Sequence, residues 1–218
     1  MLNCCDHILE WKKRSIQVRV ISIFTIFKTR SVSSLAREHI ETSGCKSIAE
    51  LEQVRISEDM KAMSHLDILW NHLDFVDGAF RCNEGKPIYQ DIPSLFSGVI
   101  SPEDFQVLTE LRLALRQFRN YGKFVVPFGI GKHIDHVIVK KIAEEMFGPA
   151  NLYYYVDFPY ALSLRAWTPK NAVKVLRSKK TIKWITRRKR ELLKIYSSQI
   201  ESLFDRIDSY PEIILHPE

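Results

Sequence analysis

The chain has 218 residues, of which 45% are hydrophobic and 27% are charged, and its formal net charge at pH 7 is +6. This length can bury a core without disulfides or structural metals, so a single domain over residues 1–218 is expected. No apolar run reaches the roughly 18 residues that a membrane-spanning helix requires, and the N-terminus lacks a signal-peptide pattern. We therefore expect a cytoplasmic protein without a membrane span.

The first third of the chain alternates between helix-like and strand-like segments. The Val, Ile and Phe content of its first strand suits a sheet covered on both faces, and Ser47 followed by Glu50 is the pattern of a helix N-cap. The predicted elements are a helix over 7–14, a strand from Ser15 to Phe27, a loop or short helix from Lys28 to Lys46, a helix from Ser47 to Ser64 and a strand from Ile68 to Phe75.

The alternation continues beyond an irregular segment from Arg81 to Val99. The predicted elements there are a helix from Pro102 to Asn120 with Phe105, Leu108, Leu111, Leu115 and Phe118 inward, a strand from Lys123 to Phe128, a helix from Asp135 to Met146, and a tyrosine-rich strand before Asp157. Strand and helix in alternation indicate an α/β fold. The specific prediction is a Rossmann-like, doubly wound, mostly parallel sheet with helices on both faces.

Most residues capable of chemistry stand between Lys123 and Tyr160. Gly129-Ile-Gly131 breaks the strand into a loop, and His133, Asp135 and His136 stand where the strand gives way to the helix. In open parallel sheets this is the edge where ligands bind, and a helix N-terminus adds free amide donors and the positive end of a dipole. These three side chains can bind a metal, move a proton or orient another group.

A structural interpretation of the same three residues is equally open. In it, Asp135 caps the helix, His136 packs against the next element and His133 faces water. The spacing alone does not decide between the two interpretations.

The residues around this cluster resemble a known family. Pro-x-Gly-x-Gly-x-His-x-Asp-His-Val, starting at Pro127 and followed by an amphipathic helix and a strand ending in Asp157-Phe-Pro-Tyr160, resembles the second conserved block of the PIG-L/LmbE-type zinc deacetylases. Shorter segments extend the resemblance over most of the chain. Arg55-Ile-Ser-Glu58 is similar to the family's Arg-x-x-Glu helix, Val76-Asp77-Gly78 to its Pro-Asp-Gly loop with the proline replaced, and Lys194 to Gln199 to its Lys-x-x-x-Ser-Gln helix.

The resemblance implies a zinc ion that polarises an amide carbonyl and activates a water molecule. Carried over residue by residue, it implies that His136 is a zinc ligand, that His133 stabilises the oxyanion or protonates the leaving amine, and that Asp135 orients His133. It also implies that Arg55 and Asp77 bind substrate hydroxyls. The implied substrates are N-acetylated amino sugars, often attached to a lipid, an inositol or another small carrier.

One departure from the family pattern lies at the N-terminus. The family begins with a strand ending in a His-Pro-Asp-Asp-like motif, which supplies two zinc ligands and the carboxylate that activates water, and this sequence has no such motif. Met1-Leu-Asn-Cys-Cys5 resembles the segment directly after it. The expectation is a chain truncated before its first strand, with the motif encoded upstream. The alternative is a non-catalytic relative that binds a sugar or acts as a scaffold.

Two other features predict no chemistry. Cys4, Cys5, Cys45 and Cys82 lack metal-binding spacing and indicate a reducing compartment, and Asp6 and His7 are poor substitute ligands because neighbouring helix residues diverge. The basic residues at 179–180 and 187–190 could bind nucleic acid, but an apolar stripe in the same predicted helix indicates that they form a solvated face, so no nucleic-acid partner is expected. The stripe consists of Ile182, Ile185, Leu192, Leu193, Tyr196, Ile200 and Leu203.

Overall fold

The computed structural model describes residues 3–29, 31–158, 160, 180–184, 186–199 and 211–216. The helices and strands are α1 (Cys5–Lys13), β1 (Arg19–Ile26), α2 (Ser34–Thr42), α3 (Ile48–Leu66), β2 (Leu69–Val76), β3 (Cys82–Asn83), β4 (Lys86–Pro87), α4 (Ile92–Leu95), α5 (Phe105–Leu115), β5 (Phe124–Pro127), α6 (Ile134–Phe147), β6 (Leu152–Tyr155), β7 (Lys180–Lys183), α7 (Arg187–Ile195) and β8 (Glu212–Leu215). The predicted α/β composition is confirmed. None of the described helices combines the length and apolarity that crossing a membrane requires.

The chain divides into two compact units. One, here the Arg55 unit, contains residues 8–95 and 186–206, and the other, the His133 unit, contains residues 1–7, 96–185 and 207–218. The expectation of a single domain stays a prediction, as does the doubly wound arrangement of the sheet.

The Arg55 unit is built around two parallel strands. β1 pairs with β2 in a register that runs from Arg19 opposite Leu69 to Ile26 opposite Val76, and α3 packs against β1. The helix buries Leu51, Ala62, Met63 and Leu66. Its predicted N-cap is confirmed, because the Ser47 hydroxyl accepts the N–H of Glu50 at 3.1 Å.

A buried carboxylate joins α3 to the segment after α7. Glu58 is only 4% exposed, and its carboxylate accepts the backbone N–H of Ser198 at 2.8 Å and the hydroxyl of Ser198 at 2.7 Å. A carboxylate with several donors tolerates burial because its charge remains hydrogen-bonded. Two segments that carry the family resemblance, Arg55 to Glu58 and Lys194 to Gln199, are therefore in direct contact.

We expect Glu58→Ala to lower the free energy of unfolding by about 1–3 kcal/mol, because the part-buried N–H of Ser198 loses its acceptor. Chemical denaturation monitored by circular dichroism measures the change. Gln53→Ala is the matched control, since Gln53 is exposed on the same helix and its truncation should change stability by less than about 0.5 kcal/mol. Equal effects of the two substitutions would show that the Glu58 contacts contribute nothing.

The His133 unit contains a four-stranded sheet with strand order β5-β6-β8-β7. β5 and β6 are parallel, with Phe124 opposite Leu152 and Pro127 opposite Tyr155, whereas β8 is antiparallel to both of its neighbours. α6 packs on β5 and buries Ile134, Ile138, Ile142 and Ala143. The strand–loop–helix order around the histidines is thus as predicted, while one of the four strands in this sheet, β8, runs opposite to the other three.

Two details of the sequence interpretation are wrong. Phe105 is 59% exposed rather than inward, because at 100° per residue it lies about 90° away from the stripe formed by Leu108, Leu111 and Leu115. The late basic segment is not one helix: Ile182 lies on β7, and α7 begins only at Arg187. Within α7, Lys189 is 4% exposed and does not lie on a solvated face. Ile185, Ile200 and Leu203 lie outside the described residues.

Candidate functional site

The loop between β5 and α6 is held by Asp157. This residue follows β6 and is fully buried, with 0% exposure. Its Oδ2 accepts the backbone N–H of Gly129 at 2.7 Å and that of Ile130 at 3.0 Å. Because the two backbone N–H groups share one charged acceptor, Asp157 fixes the path of the chain just before the histidines.

The other oxygen of Asp157 contacts His136. Oδ1 lies 2.6 Å from Nδ1 of His136, although neither atom meets the angular requirement of a hydrogen bond. The His136 side chain is 26% exposed. Metal-binding histidines commonly place one ring nitrogen against a carboxylate, which orients the ring and leaves the other nitrogen for the metal. The contact therefore leaves Nε2 of His136 as the nitrogen that can serve a ligand.

His133 is the N-cap of α6. Its Nδ1 accepts the backbone N–H of Asp135 at 3.2 Å. Because that N–H can only donate, Nδ1 is unprotonated, and the proton of the neutral ring is on Nε2. The structural interpretation that Asp135 caps the helix is wrong, since His133 does so, and Asp135 is 4% exposed. In this arrangement the ring of His133 presents a donor and not an acceptor at Nε2.

Aromatic rings surround both histidines. The ring of Phe96 lies 4.9 Å from that of His133, and Tyr160 lies 6.1 Å from His133 and 5.7 Å from His136, measured between ring centres. The two histidine rings are 5.4 Å apart. The site thus pairs two imidazoles with two aromatic rings, and such contacts favour particular ring orientations.

Tyr155 lies near the same carboxylate. Burial raises the pKa of the Tyr155 phenol well above its ordinary value, and the charge of Asp157 raises it further. The phenol is therefore protonated at neutral pH. It has no place among the predicted site residues and lies on β6, where a tyrosine is most often part of the core or its rim.

The two residues predicted to bind substrate hydroxyls belong to the Arg55 unit. Arg55 donates from Nη2 to the Ser43 hydroxyl at 3.2 Å, whereas Asp77 accepts the N–H of Ala79 at 2.9 Å and caps a short 3-10 turn. No ion pair joins Arg55 to Asp77 among the described residues. Burial lowers the pKa of the Arg55 guanidinium, and the charges of Glu58 and Asp77 oppose this effect.

Asp157 and His39 contact candidate site residues but were not predicted from the sequence. Asp157 lies inside the stretch that resembles the family, so its position after a strand could have drawn attention to it. His39 carried no signal: it is one of the polar residues of α2, and only the fold brings its Nε2 within 3.4 Å of Arg55.

The described residues do not assemble a complete metal site. His136, with Asp157 behind it, has the chemistry of one zinc ligand, but no group of three or more His, Cys, Asp or Glu side chains within the described ranges could hold an ion. Asp6 and His7 belong to no such group within the described ranges, and Nε2 of His7 lies 3.4 Å from the backbone carbonyl oxygen of Glu212.

Comparison with known proteins supports the fold. Neither a protein-family model nor a curated protein matches this sequence. Among solved structures, a deacetylase from the teicoplanin biosynthesis pathway is 21% identical with a TM-score of 0.73, and the alignment covers 98% of this chain and 91% of that one. The zinc-inhibited form of the teicoplanin deacetylase Orf2 is 19% identical with a TM-score of 0.72, over 99% and 94% of the two chains.

A more distant solved structure is also that of a deacetylase. The N,N'-diacetylchitobiose deacetylase from Pyrococcus horikoshii is 14% identical with a TM-score of 0.50, over 94% of this chain and 67% of that one. At such identities the likeness is one of fold. The resemblance predicted from the sequence is thereby confirmed at that level: this chain has the fold of the PIG-L/LmbE-type deacetylases.

Proposed function

We propose that this protein hydrolyses the acetamide of an N-acetylated amino sugar or of its conjugate, releasing acetate and a free amine. The observation that carries the proposal is the buried Asp157 carboxylate, which fixes the loop at Gly129 and Ile130 and contacts Nδ1 of His136. A buried carboxylate behind a partly exposed histidine is what a metal-binding or proton-handling imidazole requires. The deacetylases of the same fold support amide hydrolysis as the reaction class.

His133 supplies the transition-state interaction in this proposal. Its Nε2–H is a donor directed by the cap contact of Nδ1, and such a donor stabilises the oxygen that becomes negatively charged as the amide carbon turns tetrahedral. Protonation of the amine as the C–N bond breaks would require His133 as the imidazolium, with Nδ1 protonated and released from the N–H of Asp135. Asp135 orients His133 through its backbone N–H. Arg55 and Asp77 bind sugar hydroxyls.

A zinc ion held in part by His136 would polarise the carbonyl and lower the pKa of a water molecule. His136 is one ligand, and the described residues bring no group of three potential ligands together, so the ion needs additional ligands. This requirement makes metal content the sharpest test of the proposal.

The test measures zinc and acetate together. We expect a form of the protein that carries the additional ligands to contain one zinc per chain and to release acetate from N-acetylglucosamine or N,N'-diacetylchitobiose. His136→Ala should lose both properties, whereas His133→Ala should retain zinc and lose turnover by about 10²- to 10³-fold. His65→Ala is the control, since His65 is exposed on α3 and outside the site.

Three results would contradict these assignments. Zinc retained by His136→Ala would remove His136 from the ligand set. Zinc lost by His133→Ala would mean that the two histidines have exchanged roles. Acetate release that is unaffected by either substitution would place the chemistry elsewhere.

A second candidate is a sugar-binding protein without hydrolytic activity. It is favoured by the lack of a three-ligand metal group within the described residues, since a single histidine cannot hold zinc against water. This candidate predicts binding of N-acetylglucosamine by a zinc-free protein, with no release of acetate. Calorimetry on the metal-free protein, compared with the acetate assay, distinguishes it from the hydrolase.

A further inference from the structure

His39 lies between an apolar ring and a buried guanidinium. It stands in the last turn of α2, where its ring meets Phe80 edge-on at 5.9 Å between ring centres. Its Nε2 lies 3.4 Å from Nη2 of Arg55, the residue proposed to bind substrate. The hydroxyl of Ser43, the C-cap of α2, accepts from the same Nη2. The end of α2 thus supplies two acceptors to one nitrogen of Arg55.

The chemistry of the pair fixes the state of His39. Arginine has donors only, so Nε2 of His39 must be the acceptor and the ring must be neutral with its proton on Nδ1. The surroundings agree, because burial lowers the pKa of His39 and the Arg55 charge lowers it further, against an opposing effect of Asp77. The guanidinium of Arg55 is therefore held by a histidine that is neutral.

Arg55 retains binding capacity after these contacts are made. Its Nε is buried and has no hydrogen-bond partner among the described residues. A buried donor without an acceptor is uncommon in folded proteins and calls for a specific explanation, such as a bound group. The guanidinium of Arg55, which is carried by α3, also lies at the C-terminal end of α2, where the negative end of the helix dipole favours a cation. The guanidinium is thus held at one nitrogen and unsatisfied at another.

We propose that His39 is the positioning residue of the sugar-binding arginine: its neutral ring holds Nη2 of Arg55 so that the remaining donors face a hydroxyl of the substrate. The inference rests on the proposed function, since it assumes that Arg55 meets a sugar. It adds a residue outside every segment that resembles the deacetylase family, and it commits His39 to a neutral tautomer with the proton on Nδ1.

The contact itself is tested without any substrate. In the intact protein, NMR titration of the histidine side chains should show His39 with a pKa below the ordinary histidine value. Arg55→Gln should raise the pKa of His39, because it removes the adjacent cation. Lys61→Gln is the matched control. Lys61 is exposed on α3, the helix that carries Arg55, and it is not among the charges that shift the pKa of His39. An unchanged pKa of His39 in Arg55→Gln would overturn the contact.

The role in binding is tested with N-acetylglucosamine as the probe. We expect His39→Ala to weaken its affinity by about fivefold, the equivalent of one ordinary hydrogen bond, because Nη2 of Arg55 loses one of the two acceptors that hold it. His39→Gln, whose amide oxygen can take the place of Nε2, should keep most of the affinity. In the Arg55→Ala background, His39→Ala should cause no further loss, since a residue that acts only through another has no effect once that residue is gone.

The outcomes separate the two proposals. If the unmodified protein binds no sugar, the proposed function and the positioning role both fail, whatever the NMR titration shows. If the sugar binds but His39→Ala leaves its affinity unchanged, the positioning role alone is wrong. Equal losses in His39→Ala and His39→Gln, with circular dichroism showing that both are folded, would also overturn it, because an acceptor at Nε2 would then not be the relevant property.

Discussion

Replacing Asp157 with alanine is expected to lower the free energy of unfolding by about 3–5 kcal/mol. The substitution leaves the N–H groups of Gly129 and Ile130 without the acceptor they share, and each unsatisfied buried donor costs about 1–3 kcal/mol. It also opens a void at a position with 0% exposure, which adds a packing loss. Urea denaturation followed by circular dichroism measures the sum.

Asp157→Asn is the informative companion of this variant. Its side chain has nearly the same size, so the packing loss disappears, and its carbonyl oxygen can still accept from Gly129 and Ile130. We expect a loss of about 1–2 kcal/mol, because the charge-assisted bonds become neutral ones. Turnover should fall in both variants, since each changes the group that contacts Nδ1 of His136. Equal stabilities of the alanine and asparagine variants would mean that the two backbone contacts do not contribute.

The elements that the sequence predicted are those defined by local rules. Ser47 caps α3 and Glu50 follows it, as predicted from residues three positions apart. The Leu108–Leu111–Leu115 stripe lies inward because its spacing alone defines a buried helix face. The helix start after Gly131 is also local, since two positive-φ glycines break the strand just before it. The spacing of apolar residues, together with the positions of capping residues and glycines, was therefore enough to predict which segments form helices and which form strands.

The partners of the site residues were beyond these rules. Asp157 binds backbone groups that lie 27 and 28 residues earlier in the chain, and nothing in the local sequence states which strand end will face which loop. His39 reaches Arg55 across 16 residues and a helix boundary. Lys189 is buried within a run of basic residues, although the composition of that run indicates a solvated surface. Such contacts depend on tertiary packing, which residue type and spacing do not encode in a readable form.

The histidine cluster lies between these two cases. Its position at a strand-to-helix junction was predicted from the chain order, and its three residues are where the prediction put them. The role of each residue was not predictable. His133 caps the helix, although residue preference favours Asp135 as the cap, and because the capping contact uses Nδ1 of His133, the proton of the ring is on its Nε2. The identity of the capping residue thus changes the chemistry that the site can perform.

Gly131→Ala is expected to destabilise the protein by about 2–5 kcal/mol, from two separate causes. The φ angle of Gly131 is +87°, a region in which a side chain costs roughly 1–2 kcal/mol. An ideal Cβ would also lie 2.3 Å from Cβ of Tyr160 and 2.9 Å from its Cγ, so the loop or the tyrosine must move, and overpacking of this kind costs about 1–3 kcal/mol. Thermal or urea denaturation gives the total.

Gly129→Ala separates the two causes. Gly129 has a similar φ of +83°, but the nearest atom to its ideal Cβ is Cδ of Lys140 at 3.8 Å, which is ordinary van der Waals contact. Its loss should therefore be the backbone part alone, about 1–2 kcal/mol. Tyr160→Gly in the Gly131→Ala background removes the clashing atoms, and a double-mutant cycle should return a favourable coupling of about 1–3 kcal/mol. A coupling of zero would mean that Tyr160 does not lie against Gly131, and the aromatic wall beside His133 and His136 would have to be placed differently.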